Sequence, residues 1–287
     1  MSIRFTKMHG LGNDFILINC LECKLRESAE GGLPELARKI CDRHFGVGSD
    51  GLILALPSKA ASFRMRIFNS DGSEAEMCGN GLRCFASFVR DEGLTSEREL
   101  LVETLAGIKK ADLTVKGGKV ESVRVDMGAP LLDRKDIPMK GSGSRAIGEK
   151  IRLMGERIEA TCLSMGNPHC VVFVDKVDTF PVEKMGPALE NHNLFPRRTN
   201  AEFVQVISQS ELRMRVWERG AGETLACGTG ASAAVVAASL TGRTGRRVVV
   251  HLPGGDLKIE WNASDDHVYM TGPVETVFRG EWLIGGL

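Results

Sequence analysis

The feature that most limits how this chain can fold is that it repeats itself once. Arg64-Met65-Arg66-Ile67-Phe68-Asn69 returns as Arg213-Met214-Arg215-Val216-Trp217-Glu218, and Cys78 of Met-Cys-Gly-Asn-Gly returns as Cys227 of Ala-Cys-Gly-Thr-Gly, both at an offset of 149 residues. Glu74 and Glu223 keep that offset too. Weaker echoes run alongside: Gly12-Asn13-Asp14 with Gly166-Asn167-Pro168, Ser49-Asp50-Gly51 with Thr199-Asn200-Ala201, and Leu105-Ala106-Gly107 with Leu252-Pro253-Gly254. One long period excludes a tandem array of short repeats. It predicts two homologous domains about a pseudo-two-fold axis, with the active site in the interdomain cleft. A length of 287 residues suits two domains. The turn-rich stretch from Gly128 to Gly148 marks the boundary, and the residues after Pro273 exceed what the second repeat needs. The expected domains are therefore 1–127 with 274–287, and 128–273.

Short alternating or β-branched runs dominate, from Phe5–His9 and Phe15–Asn19 through Phe63–Phe68 and Leu212–Trp217 to Val268–Thr271. Helical patterns are fewer: Pro34–Cys41, Gly81–Asp91 after the first repeated cysteine, and Gly230–Leu240 after the second. The predicted class is α+β with strands in the majority. Ala231 to Leu240 is small and apolar on every face, which a surface helix is not. Its counterpart, Leu82 to Val89, carries no charge but Arg83. Both patterns predict a curved, barrel-like, mostly antiparallel or mixed sheet wrapped around a central helix in each half.

Charge narrows the function. Lys plus Arg and Asp plus Glu both number 37, so the chain is neutral overall and has no electrostatic hold on a polyanion. Neither nucleic acid nor a membrane is an expected partner. The N-terminus lacks a basic segment followed by an apolar core, and eight cysteines without such a signal read as reduced thiols of a cytoplasmic protein. Cys20-x-x-Cys23 lacks the further ligands that a structural zinc site needs, so no metal is expected.

In each half a strand leads through a glycine-containing turn to Cys-Gly-x-Gly and then a helix. A cysteine at a helix N-terminus meets unsatisfied backbone N–H groups and the positive end of the helix dipole, which stabilise a thiolate. The same N–H groups cradle a carboxylate. Two such thiols flanking one carbon can remove a proton from one face and supply another from the opposite face, inverting a stereocentre. The pair must start as one thiolate and one thiol. A reference thiol pKa of roughly 8.5 suits groups that exchange the roles of acid and base near neutrality.

Taken together, Gly12-Asn13-Asp14-Phe15, Asn69-Ser70-Asp71-Gly72-Ser73, Met77-Cys78-Gly79-Asn80-Gly81, Gly166-Asn167-Pro168-His169, Glu218-Arg219-Gly220 and Ala226-Cys227-Gly228-Thr229-Gly230 resemble the diaminopimelate epimerase family over nearly the whole chain. The resemblance implies an isomerase without cofactor. It interconverts LL- and meso-2,6-diaminopimelate by a two-base mechanism, for lysine and peptidoglycan synthesis, and tends to form a homodimer. Cys78 and Cys227 would be the bases. Asn13, Asn69, Asn80, Asn167, Asn200, Glu218 and Arg219 would bind substrate, with Gly79, Gly228 and Thr229 as further donors, and His169 and Glu218 would tune the thiols. Asn side chains both donate and accept, and Arg219 suits a two-pronged pair with the distal carboxylate. One departure is Gly51, where many members carry Gln, so that substrate contact is absent here or replaced by backbone or water.

Two other readings stand beside this one. A related two-thiol enzyme could act on proline or hydroxyproline, although a cyclic substrate has no distal amino acid for Asn80, Glu218 and Arg219 to hold. A non-enzymatic binding module or thiol redox switch could use the same cysteines. Glu74 and Glu223 are expected to be structural, bonding backbone N–H groups of the turn before each cysteine. Phe278 and Trp282 fit either a subunit interface or the core of the first domain.

Overall fold

Where apolar and polar residues alternate the chain runs in strands, and the repeat in sequence becomes a repeat in strand order. The computed structural model describes residues 2–21 and 32–283. It divides into two units, Met1–Val125 with Gly272–Leu287, and Asp126–Thr271.

The first unit begins with β1 (Ser2–Gly10) and β2 (Asn13–Asn19), followed by α1 (Gly32–Cys41), β3 (Gly51–Leu56), β4 (Phe63–Asn69), the short β5 (Glu74–Ala75) and α2 (Gly79–Asp91). Three more strands follow, β6 (Glu99–Thr104), β7 (Gly107–Lys116) and β8 (Lys119–Asp126). β1 and β2 are antiparallel, β2 and β3 parallel, β3 and β4 antiparallel, and β4 and β6 parallel. β6, β7 and β8 continue antiparallel, and β5 lies on β4.

The second unit holds β9 (Ala146–Leu153), β10 (Glu156–Ser164), β11 (Pro168–Phe173), α3 (Val182–Glu190), β12 (Asn200–Ser208), β13 (Glu211–Glu218) and β14 (Gly222–Thr224). It ends with α4 (Gly228–Leu240), β15 (Arg247–Leu252), β16 (Gly255–Trp261) and β17 (Val268–Gly272). Its pairings reproduce the same series: β10 and β11 antiparallel, β11 and β12 parallel, β12 and β13 antiparallel, β13 and β15 parallel, then β15, β16 and β17 antiparallel. β9 flanks β10 as the final strand, β18 (Glu275–Leu283), flanks β1. The C-terminal strand thus completes the first unit.

Within each unit the sheet closes on one helix. α2 packs against β1, β2, β3, β4 and β7, and α4 against β10, β11, β12, β13, β15 and β16. Every residue from Ala231 to Ala238 is buried, which is why α4 has no polar face. Between Leu82 and Val89, α2 carries one charge, Arg83, whose side chain is wholly buried. The fold is α+β, mostly sheet. Among the described residues no helix is long and apolar enough to cross a membrane. Cys20 is disulfide-bonded, which corrects the expectation that all eight thiols are reduced: composition reads a compartment, not an individual pair. Cys23 lies outside the described residues.

Candidate active site

Both repeated cysteines are helix N-caps with extended backbone, Cys78 at φ −140°, ψ 122° before α2 and Cys227 at φ −125°, ψ 111° before α4. Their carbonyls accept the first helical hydrogen bonds, from Leu82 N at 2.8 Å and Ala231 N at 2.9 Å. Neither helix has an acidic residue in its first turn, so no side chain of the helix itself offsets the positive end of the dipole beside the sulfur. Gly81 and Gly230 lie against their cysteines, so no side chain crowds the cysteine from that position.

In the first unit, a two-residue turn at Leu11 (φ 59°) and Gly12 (φ 86°) links β1 to β2, a geometry with two left-handed positions that suits Gly. It delivers Asn13, whose Oδ1 lies 3.7 Å from Cys78 Sγ and accepts from Asn80 Nδ2 at 3.2 Å. Asn13 Nδ2 donates to Asp50 Oδ2 at 2.8 Å. Asp50 and Asp14 are in turn bridged by Arg43 Nη2 at 2.9 and 3.0 Å. Burial works against the Asp14 carboxylate, but hydrogen bonds from Lys7 and Arg43 hold it below its ordinary range. Gly81 N donates to Cys78 Sγ at 3.4 Å, and Arg83 Nη1 donates to Asn80 Oδ1 at 3.0 Å. Burial pushes the Arg83 guanidinium down, while the thiols of Cys84 and Cys78 oppose that shift, which puts this cation in electrostatic reach of Cys78. Asn69 is the exposed last residue of β4, and its Nδ2 donates to Ser73 Oγ at 2.9 Å.

Gly51 has no room for a side chain: a Cβ there would stand 2.8 Å from the carbonyl oxygen of Phe68. The backbone of β4 thus occupies the space that a Gln at this position would start from.

The second unit surrounds Cys227 differently. Its sulfur lies 3.5 Å from Thr229 Oγ1, and Asn167 Nδ2 donates to that hydroxyl at 3.4 Å. Asn167 Oδ1 meets His169 Nε2 at 2.9 Å, and His169 Nδ1 meets Glu202 Oε1 at 2.6 Å, with both members of that pair at 0% exposure. Asn200 is buried, its Nδ2 donating to Pro168 O at 2.8 Å and its Oδ1 accepting from Arg219 N at 2.9 Å. Its amide is spent on holding two backbone segments. Glu218 accepts from Thr224 Oγ1 at 2.5 Å, and the exposed Arg219 donates through Nη1 to Arg197 O at 3.2 Å. Burial, followed by the carboxylates of Glu218 and Glu202, pushes the Cys227 thiol well above its ordinary pKa.

Glu74 and Glu223 each pair with an arginine of their own half. Glu74 takes two hydrogen bonds from Arg66 at 2.6 and 2.7 Å, and Glu223 two from Arg215 at 2.7 and 3.0 Å. Their arginines belong to the repeated Arg-Met-Arg segment, so the duplication preserves an ion pair as well as a sequence. Glu202 and Arg83 are two wholly buried charges to which sequence reasoning gave no role. Glu202 sits inside the apolar run of β12, where only a charge at a position that must face inward signals it. Among the described residues no cluster of three or more His, Cys, Asp or Glu could hold a metal ion.

The duplicated sheet-on-helix units, each presenting a cysteine at a helix N-terminus, define an epimerase-type fold, and comparison with known proteins agrees. The sequence profile of the diaminopimelate epimerase family matches residues 5–132 and 161–277, and the chain belongs to that family. The diaminopimelate epimerase of Moorella thermoacetica is 61% identical, over 98% of this chain and 99% of that one. The fold is shared more widely. A phenazine biosynthesis protein of the PhzF family from Bacillus anthracis superposes with a TM-score of 0.71 at 20% identity, covering 99% of this chain and 100% of the other. A hydroxyproline epimerase from Agrobacterium vitis also gives 0.71, at 16% identity, covering 98% and 92%.

Proposed function

We propose that Cys78 and Cys227 are the two acid–base groups with which this isomerase interconverts LL- and meso-2,6-diaminopimelate. The observation that carries the reading is that both cysteines stand at the N-caps of their helices, at matched positions of a duplicated fold. A thiolate takes the α-proton, and the developing negative charge spreads onto the adjacent carboxylate. Backbone N–H groups of Gly79, Asn80, Gly228 and Thr229, at the free ends of the two helices, are the donors suited to meet that charge. The second thiol then delivers a proton to the opposite face.

Asn13, Asn80 and Asn167 stand beside the thiols, and their amides can read ammonium and carboxylate groups alike. Glu218 would take an ammonium, and Arg219, exposed and held by a single long hydrogen bond, is available to a distal carboxylate. Asn69, the exposed last residue of β4, would meet the substrate from that strand end. Asn200 contributes by fixing Pro168 and the Arg219 backbone. His169 acts from behind Asn167. Partners follow from the same reading: a small amino-acid substrate, no nucleic acid or membrane, a cytoplasmic setting, and a homodimer. The edge strand β18 supports the last point by exposing Val277 and Phe278 at 54% and 46%, whereas Trp282 packs on the core of its own unit.

The experiment is proton NMR of reduced protein with LL-diaminopimelate in D₂O. The α-proton signal should disappear as meso product carrying solvent deuterium appears, without added cofactor. Exchange and product only with proline or hydroxyproline would transfer the assignment to the related two-thiol activity, and no exchange with any of them would leave the redox or binding reading.

A further inference from the structure

The two halves can be compared position by position. In the parallel pairs, Phe15 stands opposite Gly51 and His169 opposite Asn200, so His169 occupies the place of Phe15, and Glu202 that of Ile53. The consequence shows at the helix glycines. A Cβ on Gly81 would meet Ile53 Cδ1 at 3.1 Å, whereas a Cβ on Gly230 would meet Glu202 Oε1 at 3.0 Å and Cys227 Sγ at 3.3 Å. Where one half puts two apolar side chains beside its helix, the other puts a wholly buried carboxyl and imidazole. Burial opposes ionisation of Glu202 and lifts its pKa, with His169 counteracting. Glu202 Oε2 makes no hydrogen bond. Such an arrangement costs stability relative to an apolar pair, so a structural role alone does not account for it.

We propose that Glu202 is a positioning residue for Cys227: through His169 it orders Asn167 and Thr229 around the sulfur, and its carboxyl beside the thiol makes Cys227 the member of the pair that rests protonated. This rests on the reading of Cys227 as a base. The chain of contacts is continuous. His169 Nδ1 lies against Glu202 Oε1 and Nε2 against Asn167 Oδ1, and Nδ2 of that amide donates to Thr229, next to the sulfur. The charged and titratable groups around Cys227 are Glu202 from β12, Glu218 from β13 and His169 from β11, and both carboxylates disfavour a thiolate. The matched position of Arg83 in this half is Ser232, which donates to Gly228 O at 2.9 Å, so no buried cation offsets them from the helix. When Cys227 gives its proton to the substrate carbon, the thiolate left behind is the species these carboxylates least favour, which drives it to recover a proton.

The test is the pH dependence of thiol labelling, read by mass spectrometry with iodoacetamide, with Cys78 as internal reference. In the unaltered protein the midpoint for Cys227 should lie above the ordinary thiol value of roughly 8.5 and above that of Cys78. Glu202→Gln keeps the shape and removes the charge, and should lower the Cys227 midpoint by about one pH unit or more while leaving Cys78 unmoved. If that variant fails to fold, Glu202→Ile with His169→Phe copies the apolar pair of the other half and should show the same fall. An unchanged Cys227 midpoint in a folded variant, or a wild-type midpoint at or below that of Cys78, overturns the proposal. Labelling is read without turnover, so this outcome is separate from that of the base assignment, which Cys227→Ala tests by activity.

Discussion

Cys78 and Cys227 begin matched helices after matched strands, and almost everything else within reach of them differs. Cys78 caps its helix with its sulfur, which accepts from Gly81 N at 3.4 Å, and a buried arginine stands one turn along α2. Cys227 makes no side-chain cap bond and lies instead within electrostatic reach of Glu202 and Glu218. A duplicated fold supplies two equivalent positions for a thiol. A reaction that needs one base and one acid at any moment needs those positions to be inequivalent. On the proposed reading, two wholly buried charges, Arg83 on the helix in one half and Glu202 on the sheet in the other, supply that difference.

The comparison breaks most sharply at the thiols themselves. Cys78→Ala and Cys227→Ala should each lower epimerisation by about 10²–10⁴-fold or more, measured as interconversion of the two isomers. Each variant should keep its native circular dichroism spectrum. Turnover that survives in either one removes the two-base mechanism. With one thiol left, deuterium exchange without inversion should persist for a single isomer, a different one for each variant.

A smaller effect separates the two glycines. Gly230→Ala presses a methyl group against Glu202 and Cys227 and should destabilise the protein by about 1–3 kcal/mol in urea denaturation. Gly81→Ala meets only the flexible end of Ile53 and should fall within about 1 kcal/mol of wild type, since a helical Ala gains what Gly lacks. Equal losses would mean that the carboxyl beside Gly230 yields as easily as a methyl group. The smallest effect is expected where the halves are alike. Glu74→Gln and Glu223→Gln each remove a two-pronged, partly exposed arginine pair, and should cost no more than about 1 kcal/mol apiece, and the same amount in both halves. Unequal costs would show that the shared frame is itself asymmetric.

Much of the fold was legible because it is local. The turn at Gly12-Asn13, the strands around Phe15 and Met65, and the all-apolar α4 follow from periodicity and from residues close in sequence. The hairpin of β6 and β7 was not, since Lys109 and Lys110 interrupt its alternation. α3 was not, since Pro187 lies inside it and reads as a helix breaker. Their burial against distant strands overrides those local preferences. The cysteines and their flanking Asn residues were legible in the same way, as motifs.

By itself the sequence determined that there are two like halves, that each has an enclosed helix, and that a cysteine stands at the start of each, because repeats, periodicity and Cys-Gly-x-Gly turns are all properties of short stretches of chain. Only the tertiary structure decided which groups lie beside each sulfur. Glu202 reaches Cys227, and Asp50 reaches Asn13, across strand pairings far apart in sequence, and a side chain's pKa depends on what surrounds it in space. The chemistry proposed to make two copies of one fold into an acid and a base is therefore written in contacts that no stretch of the sequence contains.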